Sequence, residues 1–231
     1  QFQRDPLADS YDTIVFDNRG TGASDCPDGP YTIAEMAADL DAVLDEAGVD
    51  GAHVVGASMG GMIAQRYAID YDRALSLSLL CTSHGGEDAV PVPDETQAFM
   101  FDVPDDADER AAIRYKMTPA LSDGFAAENP DLVETIVDWR LAGDASEAGR
   151  NAQAAAVQAF DAAEELDALT LPTVVLHGTA DRVLPVENAH TLAERLPNAE
   201  LELFEGGPHL FFIEQADAVT ERLRRVLDAR A

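Results

Sequence analysis

The sequence predicts an α/β protein: a mostly parallel sheet flanked by helices, with a helical insertion between two strands. Three observations carry that expectation. Short apolar runs rich in β-branched residues alternate with longer amphipathic stretches, the signature of strand–helix–strand units. Residues 82–169 interrupt the alternation, being rich in Ala, Asp and Glu and reading as several helices, and they are too many for one ordinary crossover. The 231 residues suffice for one well-buried domain with a small subdomain.

The elements follow in chain order. The run YDTIVF at 11–16 predicts a buried strand, and the Gly/Asp/Pro-rich stretch 18–30 a loop. Thr32 with Glu35 three residues on makes a capping box. It opens a helix over 33–47 with an apolar stripe through Ile33, Met36, Ala37, Leu40, Val43 and Leu44. A strand at 52–55 (AHVV), a helix at 59–71 and a strand at 75–81 come next. After the insertion come a strand at 173–176 (TVVL), a helix at 187–196, a strand at 200–204 and a closing helix at 216–230. The expected division is a first core part at 1–82, a helical cap at 83–169 and a second core part at 170–231. An all-helical insertion of this kind suits a lid over a site.

The charge is extreme: 44 acidic residues against 15 basic ones give a net charge of −29, and Lys116 is the single lysine. Such a surface repels polyanions, so nucleic acid is not an expected partner. The arginine cluster Arg222, Arg224 and Arg225 lies in the amphipathic closing helix and reads as solvated charge. The composition resembles that of proteins from extreme halophiles, which implies work in a high-salt cytosol. No apolar run is long enough to span a bilayer and no signal peptide opens the chain, so a cytoplasmic protein without a membrane partner is expected. Cys26 and Cys81 make no disulfide framework and have no metal-ligand spacing, so no metal is implied. Assembly into a homo-oligomer is left open.

The chemistry concentrates in three loops that follow strands. Gly56-Ala57-Ser58-Met59-Gly60-Gly61 sits between a strand and a helix, the context of a nucleophile elbow. Its small residues are expected because side chains would collide around a strained serine. Ser58 would also sit at a helix N-terminus, which favours developing negative charge. The competing reading is a tight glycine turn with a capping serine. A serine nucleophile needs a base, and five histidines are available. His53 lies within a strand, His84 opens the insertion and could line a pocket, His177 reads as a backbone partner, and His190 is in mid-helix. His209, in the Gly206-Gly207-Pro208-His209 loop after the last strand, is best placed to swing toward Ser58. Asp181, in the loop after the TVVL strand, can hold an imidazole in one tautomer; its bland reading is a helix-capping turn aspartate.

These stretches carry a family resemblance. Residues 16–25 (FDNRGTGASD) resemble the DxRGxGxSD loop of α/β-hydrolases, and GASMGG, LHGTADRVLP and EGGPH match that family's elbow, acid loop and histidine loop in the same order. YTIAEMAADL through GASMGGMIAQRYA looks most like the branch of 3-oxoadipate enol-lactonases and carboxylesterases. The resemblance implies an α/β-hydrolase fold, a triad of Ser58, Asp181 and His209, and the Met59 backbone N–H as one oxyanion donor. It also implies two or three strands and a second oxyanion loop ahead of Gln1, so N-terminal strands of the fold are expected to be missing from this chain.

The implied activity is hydrolysis of a small-molecule carboxylic ester or lactone through an acyl-enzyme, without metal or organic cofactor. Cofactor-free haloperoxidase (perhydrolase) or carbon–carbon hydrolase chemistry would use the same three residues, and a non-catalytic binding module is the third alternative. Dehalogenase and epoxide hydrolase chemistry would need an aspartate where Ser58 stands. Phe99, Met100, Phe101, Tyr115, Met117, Trp139 and Phe160 are candidates for pocket lining or cap core. Arg140 could meet a substrate carboxylate or be a surface arginine. The net charge makes a first prediction. The Debye length is roughly 10 Å at about 0.1 M salt and roughly 3 Å at about 1 M, so dilute buffer unmasks self-repulsion. Circular dichroism and hydrolase activity should both decline on dialysis into about 20 mM buffer and persist at about 2 M salt; full retention in dilute buffer contradicts the halophilic reading.

Overall fold

Four strands lie parallel in the order β1 (Ala52–Ala57), β2 (Ala74–Leu80), β3 (Thr173–Gly178) and β4 (Ala199–Phe204), so chain order and sheet order coincide. The structure is a computed structural model and describes residues 1–229. Arg230, expected in the closing helix, and the side chains of Met100 and Phe101 lie outside what is described. The helices are α1 (Arg4–Leu7), α2 (Ile33–Glu46), α3 (Met59–Asp70), α4 (Asp94–Phe101), α5 (Glu109–Met117), α6 (Phe125–Glu128), α7 (Pro130–Gly143), α8 (Glu147–Ala159), α9 (Glu187–Arg195), α10 (Phe211–Glu214) and α11 (Ala216–Asp228).

Alternation along the strands sends side chains to two separate cores. One face carries Leu77, Leu79 and Val175, packed against Met36 of α2, Ile63 and Tyr67 of α3 and Leu192 of α9. The other carries Val174, Leu176 and Phe204, packed against Leu7, Phe211 and Leu223 of α1, α10 and α11. Every residue of β3 is buried, which is why TVVL reads as an unbroken apolar run. Each fully buried leucine here contributes about 2 kcal/mol of transfer free energy. The Thr32–Glu35 capping box is present at the start of α2. No described helix is long and apolar enough to cross a membrane.

One expected element is absent. Residues 11–16 form no strand and pair with no described strand, and Ile14, Val15 and Phe16 are exposed. An apolar run becomes a strand only when a neighbour takes its backbone hydrogen bonds and covers its side chains. The loop after it is well held. Gln153 of α8 donates to the Arg19 carbonyl and the Thr21 hydroxyl, and Arg19 forks onto Asp39 of α2. A Cβ on Gly149 would lie 2.5 Å from the Gly20 carbonyl oxygen, so α8 meets this loop backbone to backbone.

The helices between β2 and β3 have a small core of their own: Ile113, Met117, Leu121, Val133, Ile136 and Val137. Two charged side chains from the sheet's loops tie this core to the rest of the molecule. Arg182 donates to the carbonyls of Thr118 and Leu121, and Glu214 accepts from the Ser122 amide and hydroxyl. The Leu210 amide adds a bond to the Ala120 carbonyl.

Candidate active site

The C-terminal ends of parallel strands gather loops at one edge of a sheet, and this chain places its candidate residues there. Ser58 follows β1 with φ 54° and ψ −122°, a strained backbone for a residue with a side chain. The strain is held by three hydrogen bonds. The Ser58 amide donates to the Leu80 carbonyl, and the Ser58 carbonyl accepts from the Gly61 amide at 2.9 Å and the Thr82 hydroxyl at 2.8 Å. A Cβ on Gly56 would stand 2.1 Å from the Gly60 carbonyl oxygen, and one on Gly61 would stand 2.6 Å from the Thr82 side chain. Gly60 differs: nothing lies within 4 Å of its Cβ position, so steric exclusion accounts for two of the elbow's glycines and not for the third. Ser58 makes no side-chain cap to α3, which removes the capping alternative. Met59 is the first residue of α3, so its amide has no intrahelical acceptor and belongs to the positive end of the helix.

Asp181 and His209 are brought together by two glycines. A Cβ on Gly178, at the end of β3, would lie 2.1 Å from the Gly207 carbonyl oxygen. That contact lets the two loops run side by side, joined by Ala180 N–H to the Gly207 carbonyl and Gly206 N–H to the Thr179 hydroxyl. His209 Nδ1 then lies 2.7 Å from Asp181 Oδ2, and His209 Nε2 lies 3.1 Å from Ser58 Oγ. A carboxylate only accepts, so Nδ1 carries the imidazole proton and Nε2 is left to accept from the serine hydroxyl. Asp181 and His209 are buried and Ser58 is half-buried.

Asp181 does not cap α9, whose N-cap is Val186. Its Oδ1 accepts instead from the amides of Val183 and Leu184. Burial pushes this carboxyl up, but hydrogen bonds from His177 and His209 outweigh the burial and hold it at about 2. By sequence His177 reads as a backbone partner with no place at the site. It does reach the backbone, at the Leu184 carbonyl, but its Nε2 also lies 3.2 Å from Asp181 Oδ2. The available signal was its position in a fully apolar strand, four residues ahead of the acid. Burial also raises the Cys81 thiol, which is the small core residue its position suggested.

The other candidates fall elsewhere. His53 bonds the Ser76 hydroxyl and His190 is exposed. His84 is fully buried, with neither ring nitrogen partnered by a described residue. Phe160 belongs to the first core, Phe99 packs on Tyr115, and Trp139 is exposed against Phe2. Met117 lines a cavity of about 280 Å³ with Leu121, Val133 and Arg182, and Ser58 is not among its lining residues. Arg140 pairs with Asp144 one helical turn away.

A parallel sheet with helices on both faces, carrying serine, histidine and carboxylate in one hydrogen-bonded row at its C-terminal edge, defines an α/β protein of the hydrolase class. Comparison with known proteins narrows this. Residues 2–216 match the family described as alpha/beta hydrolase fold. A poly(3-hydroxyalkanoate) depolymerase of Ectopseudomonas oleovorans is 30% identical over 94% of this chain and 75% of its own. The 3-oxoadipate enol-lactonase 2 of Acinetobacter baylyi is 28% identical over 95% and 79%. The solved esterase EaEST from Exiguobacterium antarcticum superposes with a TM-score of 0.85 at 26% identity, over 98% of this chain and 85% of its own. The chain belongs to the α/β hydrolase family of enzymes.

Two predictions follow from this geometry. Gly56→Ala should lower unfolding free energy by about 2–3 kcal/mol, since its new methyl meets backbone that cannot yield. Gly60→Ala should be neutral or stabilise α3 by up to about 1 kcal/mol; urea unfolding of both variants checks the contrast. The Asp181 carboxyl, lowered from 3.8 to about 2, contributes about 2 kcal/mol. That contribution is fully present above about pH 4 and is lost as pH falls through about 2. The stability gap between the protein and Asp181→Asn should therefore narrow from about pH 7 to about pH 3.

Proposed function

We infer that this enzyme hydrolyses carboxylic esters or lactones through an acyl-enzyme on Ser58. The observation that carries the reading is the unbroken row Asp181–His209–Ser58, with contacts of 2.7 and 3.1 Å and the imidazole tautomer dictated by the carboxylate. His209 takes the Ser58 proton at Nε2 as Oγ attacks the substrate carbonyl carbon. The Met59 amide donates to the oxygen that becomes negative, aided by the N-terminal end of α3. As the tetrahedral adduct collapses, His209 returns its proton to the leaving alkoxide. Water then repeats the sequence on the acyl-enzyme and releases the acid. The carboxylate of Asp181 stabilises the imidazolium in both halves.

The relatives support this class of substrate, since a polyester depolymerase, an enol-lactonase and an esterase are all named for cleaving carboxylic ester bonds. Residues 83–169 serve as the cap that selects among such substrates, with Arg182 and Glu214 fixing it to the loops that hold Asp181 and His209. The acid-rich composition suits the enzyme to a high-salt cytosol. In about 2 M salt the protein should turn over p-nitrophenyl acetate and react with a fluorophosphonate probe. Ser58→Ala should lose label and about 10⁴-fold or more in kcat; undiminished turnover by that variant rules the mechanism out.

A further inference from the structure

The carboxylate of Asp181 has a second imidazole on it. Oδ2 accepts from His209 Nδ1 at 2.7 Å and lies 3.2 Å from His177 Nε2, and Oδ1 accepts two backbone amides. The two imidazoles come from different supports. His209 rides on the loop after β4, whereas His177 is part of β3, fully buried and paired with Leu203 of β4. His177 Nε2 is also 2.9 Å from the Leu184 carbonyl, so a single N–H is shared between the acid and the far end of the acid's own loop. Its Nδ1 is buried without a described partner. A hydrogen there would be a buried donor with no acceptor, so Nε2 is the nitrogen that donates.

We propose that His177 is a positioning residue for hydrolysis, tethering the Asp181 carboxylate to the rigid sheet so that Oδ2 stays aimed at His209. The inference rests on the acyl-transfer reading of Ser58. The chemical consequence concerns how strongly the carboxylate pulls on the base. Each donor on Oδ2 draws off part of its negative charge. With His177 in place, the attraction of Asp181 for the His209 imidazolium is tempered and its direction fixed. Without it, the carboxylate turns more freely and its pull on the imidazolium is no longer tempered. The titratable groups facing this carboxylate are His177 from β3, His209 from the loop after β4 and the Cys81 thiol beyond the end of β2.

The test compares His177→Leu, which removes the donor at similar volume, with His177→Gln, whose amide can donate from nearly the same point. His177→Leu should lower kcat on p-nitrophenyl acetate by roughly 10- to 100-fold with KM little changed. The acid limb of its kcat/KM profile should move up by about half a pH unit. His177→Gln should recover most of both. The far-downfield proton resonance of His209 Nδ1–H should move or broaden in His177→Leu and hold its place in His177→Gln, a readout that needs no turnover. If His177→Leu does not accumulate folded, His177→Asn, whose amide falls short of the carboxylate, takes its place. Folded variants with the native kcat, acid limb and downfield resonance overturn the inference. Fluorophosphonate labelling of Ser58 in the native protein separates the two ideas. Labelled protein with unaffected His177 variants rejects the tether alone, and unlabelled protein rejects the acyl-transfer reading and the tether with it.

Discussion

A charged carboxylate buried at the edge of a sheet is costly unless donors surround it, and Asp181 meets that condition with four nitrogens at 2.7 to 3.2 Å. Two are amides of its own loop, one is an imidazole from β3 and one is an imidazole from the loop after β4. No single segment of chain could supply them. The β3–β4 register, the close approach of Gly178 to Gly207 and the turn through Leu184 must all be in place together. The same constraint orients His209, because its Nδ1–H has a single acceptor direction. Ser58 then completes the row from β1, two strands away from β3 in the sheet. Burial is thus divided between residues: the acid is closed off and held on all sides, and the serine at the other end of the row is half-buried.

The helical insertion is joined to this arrangement beside the acid and the histidine. Arg182 is the neighbour of Asp181 and Leu210 the neighbour of His209, and both bond to carbonyls within residues 118–121. A shift of that turn is therefore felt in both loops at once. The insertion has its own apolar cluster, so it can differ in shape without disturbing the two cores that pack on the sheet.

Arginine is used here as a structural connector. Arg73 joins Asp41 and Asp45, Arg110 joins Glu134 and Asp138, and Arg222 joins Glu200 and Glu202. Each planar guanidinium links two carboxylates that would otherwise repel, which a lysine point charge does less well. With 44 acidic and 15 basic residues, each arginine that joins two carboxylates relieves repulsion that the composition makes unavoidable.

Much was legible in one dimension because it is local. The capping box at Thr32, the apolar stripe of α2, the buried run of β3 and the strand–turn–helix setting of Ser58 depend on neighbours in sequence, and each reads directly. Asp181 and His209 could be named as candidates because both sit on loops at the ends of strands. The run at 11–16 shows the limit: its composition suits a strand, but a strand needs a partner's hydrogen bonds, and that is a tertiary property. Gly60 shows another, since the motif marks it as required while the space around its Cβ position is open. His177 shows a third. A histidine in an apolar strand reads as filler until the fold lays a second loop against it. The sequence by itself determined the order of elements, the elbow and the extreme charge, all set by composition and short-range pattern. Only the tertiary structure decided which donors meet on the Asp181 carboxylate, because those contacts join residues that the chain separates and the sheet register reunites.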